Sequence, residues 1–245
     1  MRRRDFLIGT AAAGAFLAAS GRAVAKPGKE SGKAEAPAGG KLMPPARGSI
    51  HVAVAISEGA VVIDFAGPWE VFQDVHVPER GTTMDEIMPF RLFTVSETTR
   101  PVHGSGGLQL VADYTFDNAP QPAVIVVGAQ RGSEALHRWL RSAGEKADLT
   151  MSVCTGAFHL ARAGLLSGKA ATTHHDSLDA LASQFPDIQV RRGLRFVESS
   201  PRIATAGGLS SGIDLALRVV ERYFGRPAAE RTAAYMEYQS RGWIV

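Results

Sequence analysis

Apolar runs alternate with amphipathic stretches along most of the chain. Ile50-His51-Val52-Ala53-Val54-Ala55-Ile56 is a nearly unbroken apolar run of strand length, and Phe90–Val95, Ala123–Val127 and Leu149–Val153 repeat the pattern. Strands lacking polar alternation are covered on both faces, which predicts a parallel sheet flanked by helices. Gly67 to about Val75 predicts a helix with Pro68 in its first turn, where a missing N–H is tolerated. Ser133–Gly144 is amphipathic, with Leu136 and Leu140 one helical turn apart. Thr155–Ala163, Ile213–Phe224 and a segment opened by Pro227 and reaching about Tyr238 complete the helices. His103–Leu110, with Gly104, Gly106 and Gly107, reads as a hairpin or irregular pair, and the residues around Ile203 as a last short strand. In such sheets ligands bind at the carboxyl ends of the strands. Asp64, Gly128 and Cys154 each follow a predicted strand, so they are expected to meet at one edge. There is no internal repeat.

The N-terminus has a different pattern. Met1-Arg2-Arg3-Arg4-Asp5-Phe6-Leu7-Ile8 leads into an Ala-rich apolar run to Ala19 and then Ala23-Val24-Ala25. A basic start, a short apolar run and an A-x-A site before Lys26 predict a signal peptide over residues 1–25. The run is shorter than the roughly 20 residues a bilayer requires. Arg3-Arg4 followed by Asp5-Phe6-Leu7 matches a twin-arginine signal, the alternative being an ordinary secretory signal that carries three arginines. The expectation is a folded protein passed through the twin-arginine machinery to the periplasm or beyond. No cysteine lies near the cleavage site for a lipid, so no stable membrane anchor is expected. Residues 26–48, rich in Lys, Gly, Pro, Ala and Glu, bury too little to order themselves and predict a disordered linker. Residues 49–245 are of a size for one α/β domain.

The formal charge of +3 is misleading for that domain. Nine of the 27 basic residues and three of the 24 acids precede residue 49, which leaves 18 against 21. A domain near −3 carries no global footprint for nucleic acid. Arg191-Arg192 with Arg195 reads as a solvated loop or strand edge.

The single cysteine, Cys154, cannot form an internal disulfide in an oxidising compartment. It is either a small buried hydrophobe or a thiol kept for chemistry. It lies between the predicted strand Leu149–Val153 and the predicted helix from Thr155, in the pattern S-x-C-x-G formed by Ser152, Cys154 and Gly156. A strand-to-helix elbow exposes a side chain on a strained turn. A helix N-terminus there predicts a lowered thiol pKa, and the Thr155 N–H would face a developing oxyanion.

Ser152-Val153-Cys154-Thr155-Gly156-Ala157, Ala163-Gly164-Leu165-Leu166-Ser167-Gly168 and Ala170-Ala171-Thr172-Thr173-His174 resemble the ThiJ/PfpI superfamily (class I glutamine amidotransferase-like). Within it they resemble the branch of isonitrile hydratase and the amidase-like domains of AraC-type regulators. Asp64–Phe72, Gly207–Leu217 and Met236-Glu237-Tyr238 agree with it in the same order. The resemblance implies a flavodoxin-like three-layer α/β sandwich with a mostly parallel sheet, a cysteine nucleophile elbow, a homodimer and a small-molecule substrate; the motifs themselves give no reason to expect a cofactor or metal. It assigns Cys154 as nucleophile and Asp64 as the acid that hydrogen-bonds it, a residue that also suits a helix N-cap ahead of Pro68. Gly128-Ala129 matches a Gly-Gly pair of the oxyanion hole, with alanine as a departure. Thr155 supports hydration. His174 matches a histidine that is either a catalytic partner or a structural neighbour. His175 stands where the branch often has tryptophan, and Gln239-Ser240-Arg241-Gly242-Trp243 departs from its proline-rich ending.

Other signals are weaker. Gly208-Leu209-Ser210-Ser211-Gly212 spells G-x-S-x-G, but no histidine follows position 175 to complete a Ser, Asp, His order. There is no H-E-x-x-H motif and no G-x-G-x-x-G after the first strand. The resulting expectation is an exported cysteine-dependent enzyme with isonitrile hydratase-like chemistry. The alternatives are a non-catalytic sensor of small molecules or oxidants, and glyoxalase or protein-repair activity. The regulators carry a helix-turn-helix region after this domain, and the sequence ends at Val245 with no room for one.

Overall fold

A computed structural model describes residues 39–245. The predicted signal peptide and most of the predicted linker lie outside the described residues. In chain order the elements are β1 (Ile50–Ala55), α1 (Val62–Gln73), α2 (Met84–Ile87), β2 (Phe90–Ser96), β3 (Val102–His103), β4 (Gln109–Leu110) and β5 (Tyr114–Thr115). Then come β6 (Val124–Val127), α3 (Glu134–Gly144), β7 (Leu149–Ser152), α4 (Ala157–Arg162), β8 (Ala170–Ala171), α5 (Leu178–Gln184) and β9 (Gln189–Val190). The chain closes with β10 (Phe196–Ser200), β11 (Ile203–Ala206), α6 (Ser211–Phe224) and α7 (Arg226–Tyr235).

Seven strands form one sheet in the order β10-β11-β7-β6-β1-β2-β5. Every neighbouring pair is parallel except β10 with β11. From β1 the chain first moves to β2 on one side and later to β6 on the other. The carboxyl ends of β1 and β6 therefore border a topological switch point, where such sheets hold ligands.

The unbroken apolar runs are explained by two cores. Ile50, Val52 and Val54 of β1 face α1, α6 and α7, while Ala53 and Ala55 face α3, α4 and α5. Val124 and Val126 of β6 join the first core and Ile125 and Val127 the second. Each fully buried Val, Leu or Ile contributes about 1.5–3 kcal/mol, so strands buried on both faces hold the centre of the fold. No helix among the described residues is long and apolar enough to cross a membrane.

The structure departs from the sequence pattern in two places that bear on the site. Helix α1 begins at Val62, five residues before the predicted start, and Pro68 lies inside it. Pro68 donates no N–H to the previous turn. The helix continues because Gly67 and Pro68 pack closely on α6. A Cβ on Gly67 would stand 2.9 Å from Ile213, and one on Gly212 would stand 3.3 Å from Pro68. Asp64 is therefore in the first turn of α1, and Val61 is the N-cap in place of the expected Asp64.

The second departure is in residues 39–48, which have no regular element yet are tied to the domain. The Leu42 N–H donates to Arg222 O, Arg222 Nε donates to Gly40 O, and Arg80 donates to Pro45 O and Gly48 O. Arg222 belongs to a buried ion network with Glu198, Arg218 and Glu221 that joins β10 to α6.

Candidate active site

Cys154 stands just after β7, ahead of a one-turn 3-10 segment (Cys154–Gly156) and the short α4. Its φ is +57°, in the left-handed region, which costs a non-glycine residue about 1–2 kcal/mol. Three bonds hold it there. The Val153 N–H donates to Val127 O (3.0 Å), the Cys154 N–H donates to Gly207 O (2.8 Å), and Thr173 Oγ1 donates to Cys154 O (2.9 Å). The glycine two residues on is required by space, since a Cβ on Gly156 would lie 2.2 Å from Val127 O.

Asp64 meets this elbow from α1. It is fully buried, and the Ala129 N–H donates to its Oδ2 at 2.9 Å. Gly128 permits the approach, because a Cβ there would be 2.7 Å from the Asp64 Cβ. Oδ1 has no partner in strict hydrogen-bond geometry; the Cys154 thiol and the Leu209 N–H are groups that face the carboxylate. Burial raises the Asp64 pKa above the usual carboxylate range, against the lowering effect of these donors. The thiol is pushed up to about 11, first by burial and then by the Asp64 charge, while the amides of Thr155 and Leu209 act to lower it. This corrects the lowered pKa expected at a helix N-terminus. Helix α4 has six residues, the cysteine is 7% exposed, and its nearest charge is an acid. A thiol raised to about 11 keeps its proton near neutral pH, with the Asp64 carboxylate as the acceptor beside it.

The remaining expected residues fall around this pair. The N–H of Ala129, expected in the oxyanion hole, is instead engaged by Asp64 Oδ2. The Thr155 N–H, expected to face a developing oxyanion, acts on the Cys154 sulfur in the resting site. His174 is the N-cap of the short turn His175–Ser177, with Nδ1 accepting from the Asp176 N–H at 3.3 Å. Its ring lies against the Gly207–Ser210 loop, where a Cβ on Gly208 would be 2.3 Å from His174 Cδ2. It lies close enough to Asp64 that a positive charge on the ring would lower the Asp64 pKa. His175 stacks on His174 with ring centroids 4.3 Å apart, and its side chain is 79% exposed. His174, His175 and Asp176 present possible cation ligands within 4.8 Å of one another, at the surface.

Sequence reasoning missed Leu209, whose left-handed backbone (φ +52°) turns its N–H toward both Cys154 and Asp64. Only the glycine-rich turn around it was legible. Ser210 of the G-x-S-x-G pattern accepts a hydrogen bond at Oγ from Arg195 Nη2. Arg195 is thereby drawn out of the expected solvated cluster and onto the buried Asp214.

Behind the site, His159 on α4 anchors the loop that carries Ala129. Its Nε2 pairs with Gln130 O at 3.1 Å and its Nδ1 with His137 Nε2 at 3.3 Å. Burial depresses His159 from 6.5 to about 4. The unfolded chain takes up this proton below pH 6.5, whereas the fold resists it until about pH 4. The stabilisation is therefore complete above pH 6.5 and is lost as pH falls toward 4, by about 3 kcal/mol. Asp64, with its raised pKa, works in the opposite sense over the acid range. The expected result is read by difference: in urea titrations between pH 7 and 4, His159→Gln loses less stability than the wild type. Parallel curves would contradict it.

A mostly parallel α/β sandwich with a left-handed cysteine at a strand-to-helix elbow, facing a buried acid, defines a class. The DJ-1/PfpI family model matches residues 50–222. The chain belongs to the DJ-1/PfpI family, known also as ThiJ/PfpI. It is 33% identical over 186 residues to an isonitrile hydratase from Pseudomonas putida, covering 72% of this chain and 73% of that protein. It is also 33% identical over 153 residues to the HTH-type transcriptional regulator GbdR from Pseudomonas aeruginosa, covering 60% of this chain and 40% of the regulator. Among solved structures, a ThiJ/PfpI family protein from Pseudomonas syringae superposes with a TM-score of 0.66 at 26% identity, over 80% of this chain and 78% of that one.

Proposed function

We propose that the domain is a cysteine-dependent hydratase that acts on a small uncharged electrophile, with an isonitrile as the substrate class. The observation that carries this reading is the fully buried Asp64 carboxylate facing the Cys154 thiol at the elbow. Likeness to the isonitrile hydratase supports the choice of substrate class. A buried carboxylate with a raised pKa is suited to exchange a proton with a thiol. Asp64 takes the thiol proton as sulfur bonds to the terminal carbon of the isonitrile, then returns that proton to the same carbon. The product is a thioimidate on Cys154. Water adds to its carbon, the C–S bond breaks, the thiol is restored, and an N-substituted formamide leaves. The amides of Thr155 and Leu209 stabilise charge near the sulfur, and a positive charge on His174 would favour the ionised form of Asp64. The basic, twin-arginine-like N-terminus supports export, which would place this chemistry outside the cytoplasm.

The test is incubation of the full chain with an aliphatic isonitrile, with formamide followed by mass spectrometry. Formamide formation well above that of Cys154→Ala is expected, and equal rates would overturn the reading. The second reading is a ligand-binding domain without turnover. It is favoured by the match to GbdR and by a thiol held protonated near neutral pH.

A further inference from the structure

The loop that presents the Leu209 N–H is held from outside the sheet. Asp214, on the first turn of α6, is fully buried and accepts four contacts. Arg195 Nε and Nη2 reach its Oδ2 at 2.5 Å, and Tyr238 OH (3.2 Å) and Ser240 Oγ (3.1 Å) donate to its Oδ1. Arg195 Nη2 also grips the loop by donating to Ser210 Oγ, and the Tyr238 hydroxyl, whose one proton is shared with Asp214 Oδ1, lies 3.5 Å from Ser210 O. The Gly207 N–H donates to Arg195 O, and Gly207 O receives the Cys154 N–H. The far end is locked as well. The Gly242 N–H donates to Ser240 Oγ, Trp243 Nε1 donates to Ser240 O, and Trp243 is buried beneath Arg226. Gly242 is a close fit, since a Cβ there would lie 2.9 Å from Asp214 Oδ2.

We infer that the segment Tyr238–Trp243, acting through the buried Asp214 carboxylate, holds the Gly207–Ser210 loop so that the Leu209 N–H stays facing the Cys154–Asp64 pair. Asp214, Tyr238 and Ser240 are then positioning residues for the reacting thiol. A left-handed backbone at Leu209 needs such a frame, because the conformation is disfavoured in a free loop. The inference rests on reading Cys154 as the reacting group, but not on its substrate.

The test therefore uses alkylation of Cys154 by iodoacetamide at pH 9, alongside thermal melts, in the full chain. Two variants are compared with the wild type: Tyr238→Phe, which removes one hydroxyl and keeps the ring, and Asp214→Asn. Asp64, the charged neighbour of the sulfur, is unchanged in both. With the amide drawn away, the thiolate loses a donor. Alkylation is expected to slow by about threefold in Tyr238→Phe, the scale of one hydrogen bond, and by more in Asp214→Asn. A purely structural clamp would lower the melting temperature and expose the thiol, so alkylation would stay equal or accelerate. Either outcome overturns the inference. If Asp214→Asn does not fold, Tyr238→Phe alone decides. Loss of isonitrile hydration in the wild type would overturn the proposed function and leave this result standing.

Discussion

Asp64→Asn is expected to lower isonitrile hydration by about 10²–10⁴-fold, the range for loss of a positioned general base, while alkylation of Cys154 at pH 7–8 becomes faster. The two effects have opposite signs because one carboxylate does two things. It accepts the thiol proton during turnover, and its charge helps hold the resting thiol up at about 11. Asparagine keeps an oxygen for the Ala129 N–H, so the elbow stays supported, but it neither accepts the proton nor repels the thiolate. With the charge gone, burial alone opposes the amides of Thr155 and Leu209 at the sulfur, and the thiolate fraction at a given pH rises. Steady-state formamide formation and the iodoacetamide rate, measured on the same sample, check both halves. Activity within about threefold of wild type would remove Asp64 from the proton transfer. Slower alkylation would show that the carboxylate does not raise the thiol.

Glu198→Ala is expected to destabilise the domain by about 3–5 kcal/mol, seen as a lower urea midpoint at unchanged m-value. Glu198 lies between Arg218 Nη2 (3.2 Å) and Arg222 Nη1 (3.5 Å), and all three residues are buried. Removing the acid leaves the buried Arg222 without a carboxylate partner and the buried Arg218 with Glu221 alone. Arg222 also donates to Gly40 O and Pro201 O, so the loss reaches the segment around Leu42 and the β10–β11 turn. Proteolysis near residues 39–48 should accelerate in the same variant. A loss below about 1 kcal/mol would mean that water enters and solvates the arginines.

The central strands and the elbow were legible because their signals are local. Short β-branched apolar runs such as Val124–Val127 fit strands buried on both faces, and they were placed to within a residue or two. The short β5, β8 and β9 were not legible, since each is defined by pairing with a segment about twenty residues away, and the edge strand β10, Phe196-Val197-Glu198-Ser199-Ser200, lacks the apolar run that marks the central strands. The start of α1 was misread because Pro68 locally favours a first turn, and only packing against α6 keeps it inside a longer helix. In the site, Cys154, Asp64, Gly128 and Thr155 were picked out by pattern and resemblance. Leu209 and the Asp214 clamp were invisible, because a backbone N–H carries no residue signature and Arg195, Asp214 and Tyr238 are far apart in sequence.

The sequence by itself determined the class of fold and the single thiol at an elbow, because periodicity and small-residue spacing are properties of short segments, and the family resemblance added the acid that belongs with it. The tertiary structure decided the protonation of that thiol, the use of the Ala129 amide and the part played by the C-terminal segment. These depend on burial and on the direction of charges and dipoles brought together across the sheet. A helix N-terminus alone would have made Cys154 a thiolate; a carboxylate in a site closed to water makes it a thiol with its base already in place.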